Sequence, residues 1–199
     1  IERTARSPMI REAHDYRVGL FDKHCRKLTG RSYSAMPDAV VRDYPPETMQ
    51  PGDVFFMNDT YDTEGSIGHL PDMCSTVPVF HDGAVVAYIQ AFGHHDDIGG
   101  NEEALKIIRR NTRVPEMLAA DVDSEIQACI MGAERMAELF ARFGRETVEA
   151  CFQTILDNCA GVFRDELLPK IKNGTYSWED YVEHDGLTDP SLHKLALTM

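Results

Sequence analysis

The chain carries no CxxC pair, no GxxxxGK loop and no apolar window that approaches a membrane span. It is also short of positive charge, with 20 basic against 33 acidic residues and a net charge of −13. Each shortage removes a class of function. The charge balance argues against nucleic acid and anionic membrane as partners, since both are held through surplus Lys and Arg. A spanning helix needs about 20 consecutive apolar residues, so none is expected. Without the glycine–lysine loop the chain lacks that means of cradling a nucleotide's phosphates. Five cysteines (Cys25, Cys74, Cys129, Cys151 and Cys159) without paired spacing are expected to be reduced. Of these, Cys129, Cys151 and Cys159 fall on apolar helix faces and are expected in the core of a cytosolic protein. No signal peptide, internal repeat or low-complexity run is visible. What is present, 199 residues at 43% apolar content, suits one sizeable globular domain or two small ones.

The chemistry concentrates in residues 51–100, which hold His69, His81, His94 and His95 among many aspartates. The run 53–57 is apolar and aromatic and suits a buried strand ending at the turn pair Asn58-Asp59. A polar loop leads to His69-Leu70-Pro71-Asp72. Residues 75–80 read as a strand, His81-Asp82-Gly83 as a tight hairpin turn, and 84–92 as a second strand that is apolar almost throughout. This hairpin can bring His69 and Asp72, which precede it, beside His94 and His95, which follow it. Imidazole and carboxylate together are the ligand set of Zn, Mn or Fe(II) with an open position. Pro71 stiffens the loop between His69 and Asp72. The plainer alternative is that these are turn and capping residues. Cys74 lies two residues from Asp72 and is read as a strand residue packed inward.

The rest of the chain reads as scaffold. Residues 1–10 suggest a helix that Pro8 interrupts. Residues 16–21 form a strand ending at Asp22, and 23–31 a basic hairpin tip. A contact of that tip with a phosphorylated group, which Arg forks suit, is the sharper alternative. A short helix is expected from Met36-Pro37-Asp38. After Gly100 the apolar period becomes helical, with a short helix ending near Arg109-Arg110. A longer helix starting at Val114-Pro115 carries the stripe Leu118, Val122, Ile126, Ile130, Ala133, Ala137 and Phe140. Gly144 stops it. The pattern resumes from Glu146 to about Leu168, before Pro169, so an antiparallel helix pair is expected. Asp121, Asp123 and Glu125 are read mainly as solvated acids near a helix N-terminus, with Asp123 and Gln127 as further candidates to line a site.

The segments GDVFFMNDTYDTEGSIGHLPD and PVFHDGAVVAYIQAFGHHDDIGG resemble the signature of the hydantoinase B/5-oxoprolinase family. RTARSPMIREAHDYRVGLFD is similar to that family's N-terminal stretch, and NTRVPEMLAADVDSEIQACIMGAERM to its first long helices. The likeness covers most of residues 1–186. The family includes N-methylhydantoinase, 5-oxoprolinase, caprolactamase and the metal-binding subunits of acetone and acetophenone carboxylases. The resemblance implies an α+β fold: a hairpin-rich N-terminal half carrying the site, packed with the pair of long helices, as one domain over 1–199 of a larger chain. It implies a hydantoinase A-type, ATP-binding partner in a hetero-oligomer. That partner, with its ATP and Mg, phosphorylates a carbonyl-derived oxygen. The B-type subunit then completes hydrolysis of a cyclic amide, or carboxylation of a ketone with bicarbonate, at a divalent metal (Zn or Mn, with Fe also suited). Carried onto this sequence, the metal falls on His69, Asp72 and His94, with Asp15 as an addition. His95 is the expected general acid or base, Asp59 a neighbour with a catalytic role, and Asp96 or Asp97 a support for a ligand histidine. The resemblance favours a strand at 177–180, where Ser177-Trp178-Glu179 otherwise reads as a helix start, then a loop at 184–186, with 192–199 weakly alternating like a strand. The family's long Gly-, Pro- and Ser-rich segment after DIGG is not found between Gly100 and Asn101. Segments omitted there and after Met199 are therefore expected. Two other readings remain: a non-catalytic structural subunit, and a metallohydrolase that needs no ATP.

Overall fold

The computed structural model describes residues 1–30, 36–63, 67–95, 114–182 and 193–198. The chain divides into two compact units, Ile1–Leu156 and Asp157–Met199.

The first unit is built on a five-stranded antiparallel sheet. In chain order its strands are β1 (Tyr16–Asp22), β2 (Lys27–Thr29), β3 (Phe55–Met57), β4 (Asp72–His81) and β5 (Ala84–His94), arranged β2-β1-β5-β4-β3. The central hairpin β4–β5 turns at Asp82 and Gly83, with φ of 50° and 76°. Two successive positive φ angles make the type I′ turn whose twist matches that of the flanking strands. Both strands run further than the apolar pattern suggested, β4 beginning at Asp72 and β5 ending at His94. The ladder extends because Met73 and Cys74, both fully buried, find packing partners: Leu118 and Val122 for the first, Ile67 and Phe92 for the second.

Pro8 does not interrupt a helix. It starts one: α1 (Pro8–Arg11) has Pro8 in its first turn and Ser7 as its cap, with Ser7 Oγ accepting the Ile10 N–H at 3.3 Å. A second short helix, α2 (Asp38–Asp43), follows Pro37 as expected. The long helix α3 (Pro115–Phe143) starts at Pro115 and stops before Gly144, whose φ is 78°. It is followed by α4 (Arg145–Val162).

The faces of the sheet are covered separately. On one, Val77, Val79, Ala87, Ile89 and Ala91 pack with Cys129, Phe140, Val148 and Phe152. On the other, Phe21 and Tyr88 pack with Cys25, Val40 and Met49. The expected lengthwise helix pair is not the organising contact. The apolar stripe of α3 is covered by β4 and β5, and α4 joins that core at the corner, where the rings of Phe140 and Phe152 stand edge-on at 5.9 Å.

In the second unit the regular helix ends at Val162, short of Leu168. One π turn (Phe163–Leu167) and one 3-10 turn (Leu168–Lys170) follow it. Strands β6 (Ser177–Val182) and β7 (His193–Thr198) then pair antiparallel. The helix expected over 101–110, Asp96, Asp97 and the loop at 184–186 lie outside the described residues.

Candidate metal centre

The site stands at the open end of the β4–β5 hairpin. Asp72 and His94 are direct cross-strand partners, so their side chains leave the same face of the sheet. Asp72 Oδ1 lies 3.1 Å from His94 Nδ1. The second oxygen, Oδ2, lies 3.2 Å from His69 Nδ1. His69 reaches it because residues 69–72 form a turn, closed by the Asp72 N–H donating to the His69 carbonyl at 3.0 Å. The two imidazoles meet edge to face, with centroids 4.7 Å apart. One donor atom from each of His69, Asp72 and His94 lies within 4.8 Å of the other two. The cluster is graded in exposure: the Asp72 side chain is 10% exposed, that of His94 23% and that of His69 57%.

Burial raises the Asp72 carboxyl above its ordinary range. The charge of His69 and the hydrogen bond and charge of His94 pull it down, and nearby Asp15 pushes it up again. Two imidazoles and one carboxylate, converging and partly open to solvent, form a donor set that fits a divalent ion such as Zn, Mn or Fe.

Of the other residues singled out in the sequence, Asp59 and His95 stand apart from these three, and Asp15 lies near enough for its charge to act on Asp72. Asp15 contributes its backbone: its carbonyl accepts the His94 N–H at 2.9 Å and so fixes the end of β5. The exposed Asp59 carboxylate accepts the N–H groups of Tyr61 at 2.7 Å and Asp62 at 2.9 Å. The bond from Asp62, followed by that from Tyr61, lowers its pKa, which is the behaviour of a turn cap. His95 follows His94, and strand alternation sends its ring to the opposite face. There it is 1% exposed, with Nε2 3.0 Å from Oε1 of Glu125, itself fully buried. Cys74 is fully buried, as expected, and burial holds its thiol well above the ordinary value, with the charge of Glu125 adding to the effect.

Three structural residues escaped the sequence reading. Glu125 and Asp121 are fully buried on α3 rather than solvated. Asp121 accepts the backbone N–H groups of Arg6 and Ser7. Asn58 donates from Nδ2 to the Leu70 carbonyl at 3.0 Å, bracing the 69–72 turn. A signal for the two acids was available: 118, 121, 122, 125 and 129 recur at helical spacing, so both acids interrupt the apolar stripe itself. Asp123 and Gln127 are exposed.

Comparison with known proteins shows the family and the fold. The caprolactamase subunit beta of Pseudomonas jessenii is 27% identical over 227 residues, covering 94% of this chain and 38% of the relative. The 5-oxoprolinase of Dictyostelium discoideum is 25% identical over 240 residues, covering all of this chain and 19% of the relative. The chain thus spans well under half the length of either. Among solved structures, the ATP-dependent caprolactamase from Pseudomonas jessenii superposes with a TM-score of 0.76 at 25% identity, over 92% of this chain and 37% of that one. The nucleotide-free structure of an acetone carboxylase shares the fold, with a TM-score of 0.66 at 17% identity, over 99% of this chain and 32% of that one. The sequence model of the hydantoinase B/oxoprolinase family matches residues 1–104 and 101–199. The chain therefore belongs to the hydantoinase B/oxoprolinase family.

Proposed function

We propose that this chain is the metal-dependent, B-type part of an ATP-dependent two-component amidohydrolase. It completes the hydrolysis of a cyclic amide whose carbonyl oxygen has been phosphorylated by a hydantoinase A-type partner. The observation that carries this reading is the convergence of His69, Asp72 and His94 at one hairpin end, in a fold like that of a caprolactamase. The ketone-carboxylating alternative has the weaker support, because the acetone carboxylase likeness, at 17% identity, is one of fold.

His69, Asp72 and His94 would hold the ion, which would supply Lewis acidity at a carbonyl or phosphoryl oxygen. The carboxylate of Asp72, between two imidazoles, sets the orientation of both rings. His69, on the solvent side, leaves the cluster open where a substrate can approach. That openness favours a catalytic over a purely structural centre, since structural sites close their coordination with four protein ligands. Asp15 and Asn58 hold the backbone on either side of the cluster. His95 is enclosed and serves the site from behind.

The test is an assay of the complete protein with its ATP-binding partner on ε-caprolactam, 5-oxoproline and hydantoin. Chelation or His94→Ala should abolish ATP-dependent ring opening, and Mn or Zn should restore it only in the chelated wild type. Full turnover in the presence of chelator would overturn the proposal.

A further inference from the structure

The His95–Glu125 pair lies in the core, on the far side of the strand from the proposed metal centre, and its geometry connects it to the backbone around all three proposed ligands. His95 is tied at both ends. Its backbone N–H donates to the Pro71 carbonyl at 2.9 Å, and Pro71 sits inside the turn that carries His69 and Asp72. Its ring meets Glu125 at 3.0 Å, with both side chains at or below 1% exposed. Glu125 also approaches the strand one residue before His94. A Cβ added to Gly93 would fall onto the Glu125 carboxylate and against the Ile10 side chain. One acid on α3 thus touches the residues on both sides of His94, and through His95 it reaches the turn holding the other two ligands.

A buried acid–imidazole pair is a costly way to fill a core, because apolar residues of the same volume usually pack there at no loss of stability. Its strength is directional: a hydrogen bond fixes a ring's position where apolar contact allows sliding. Gly93 is the residue that permits the close approach, since any side chain there would displace the acid from the strand.

We infer that Glu125 is a positioning residue that acts through His95 to fix His94 and the 69–72 turn in register with one another. It touches no ligand atom and is not a catalytic residue. The inference rests on the metal-centre reading for its functional meaning, and the experiment separates the two.

The full-length protein is compared with Glu125→Met, which keeps the volume and loses the hydrogen bond, and Glu125→Gln, which keeps an acceptor for His95. Glu125→Asp, too short to reach the ring, stands in if Glu125→Met does not fold. Two readouts are taken: Mn(II) and Co(II) affinity by equilibrium titration, and the imidazole ¹⁵N resonances of His69 and His94 in metal-free protein. Thermal unfolding of the metal-free proteins controls for stability. Glu125→Met should shift or broaden both imidazole signals and weaken metal binding about 10- to 100-fold, and it should also lower metal-free stability, because His95 is left buried without its partner. Glu125→Gln should stay within a few-fold of wild type. Unchanged imidazole signals in Glu125→Met overturn the inference, and so does a Glu125→Gln protein that loses as much metal affinity as Glu125→Met. Wild-type protein that takes up no metal, while Glu125→Met still moves the imidazole signals, overturns the metal-centre reading and leaves the positioning role standing.

Discussion

At the scale of single residues, burial decides which ionisable groups are available for chemistry. Cys25 and Cys129 are buried, and burial pushes both thiols up to about 12. Cys74 is raised for the same reason. Cys151 and Cys159 are exposed, contrary to the core placement expected from the helical pattern. A thiol titration of the native protein at pH 8 should therefore find these two reacting quickly and the other three only after denaturation. Five fast thiols in the native state would contradict the packing described. The candidate metal-site residues show the same division between what pattern reveals and what burial decides. His69, Asp72 and His94 were legible because a hairpin folds two marked segments together. The separation of His94 from His95 was not, although it follows from strand alternation once β5 is known to extend to His94. Glu125 was missed because an acid near a helix N-terminus is usually solvated, and here the helix turns that side toward the sheet.

At the scale of elements, α3 against the β4–β5 hairpin is the main structural contact, and Phe140 is its keystone at the corner with α4. The ring is fully buried and stacked edge-on to Phe152. Phe140→Ala should cost about 3–5 kcal/mol, measured by urea unfolding, whereas Leu139→Ala on the exposed side should cost well under half as much. Electrostatics tie the same corner to the β1–β2 hairpin, where Lys23 Nζ and Arg145 Nε each lie 2.9 Å from Glu149 Oε1. The hydrogen bond from Lys23, followed by that from Arg145, lowers the Glu149 pKa from its ordinary 4.5 against partial desolvation. A depressed carboxylate stabilises the fold above its unfolded value and loses that contribution as pH falls through the folded one. Glu149→Gln should therefore cost about 0.2–1 kcal/mol at pH 7 and low salt, a cost kept small by solvent screening. The difference should shrink below pH 4.5 and vanish once Glu149 is protonated. A cost that persists at pH 2 would assign the contact to packing instead. The strands and long helices of this unit were largely readable from periodicity. The course of the second helix was not, because the apolar stripe of α3 has one face to bury and the sheet is the larger surface.

At the scale of the whole molecule, the two units differ in how they are held. The first has a sheet with a covered core on both faces. The second has a short hairpin that exposes Trp178, Tyr181, Leu195 and Leu197, and an isolated two-stranded hairpin is marginal in water. Among the described residues, no helix is long and apolar enough to cross a membrane. The family assignment and the hairpin-end cluster are the two findings on which the proposed metal-dependent role rests. Metal content therefore tests the account most directly. It is measured by mass spectrometry on full-length protein purified without chelator, and on the His69→Ala/His94→Ala variant. The account predicts about one divalent ion per wild-type chain and none in the variant. Equal, near-zero metal in both would contradict it.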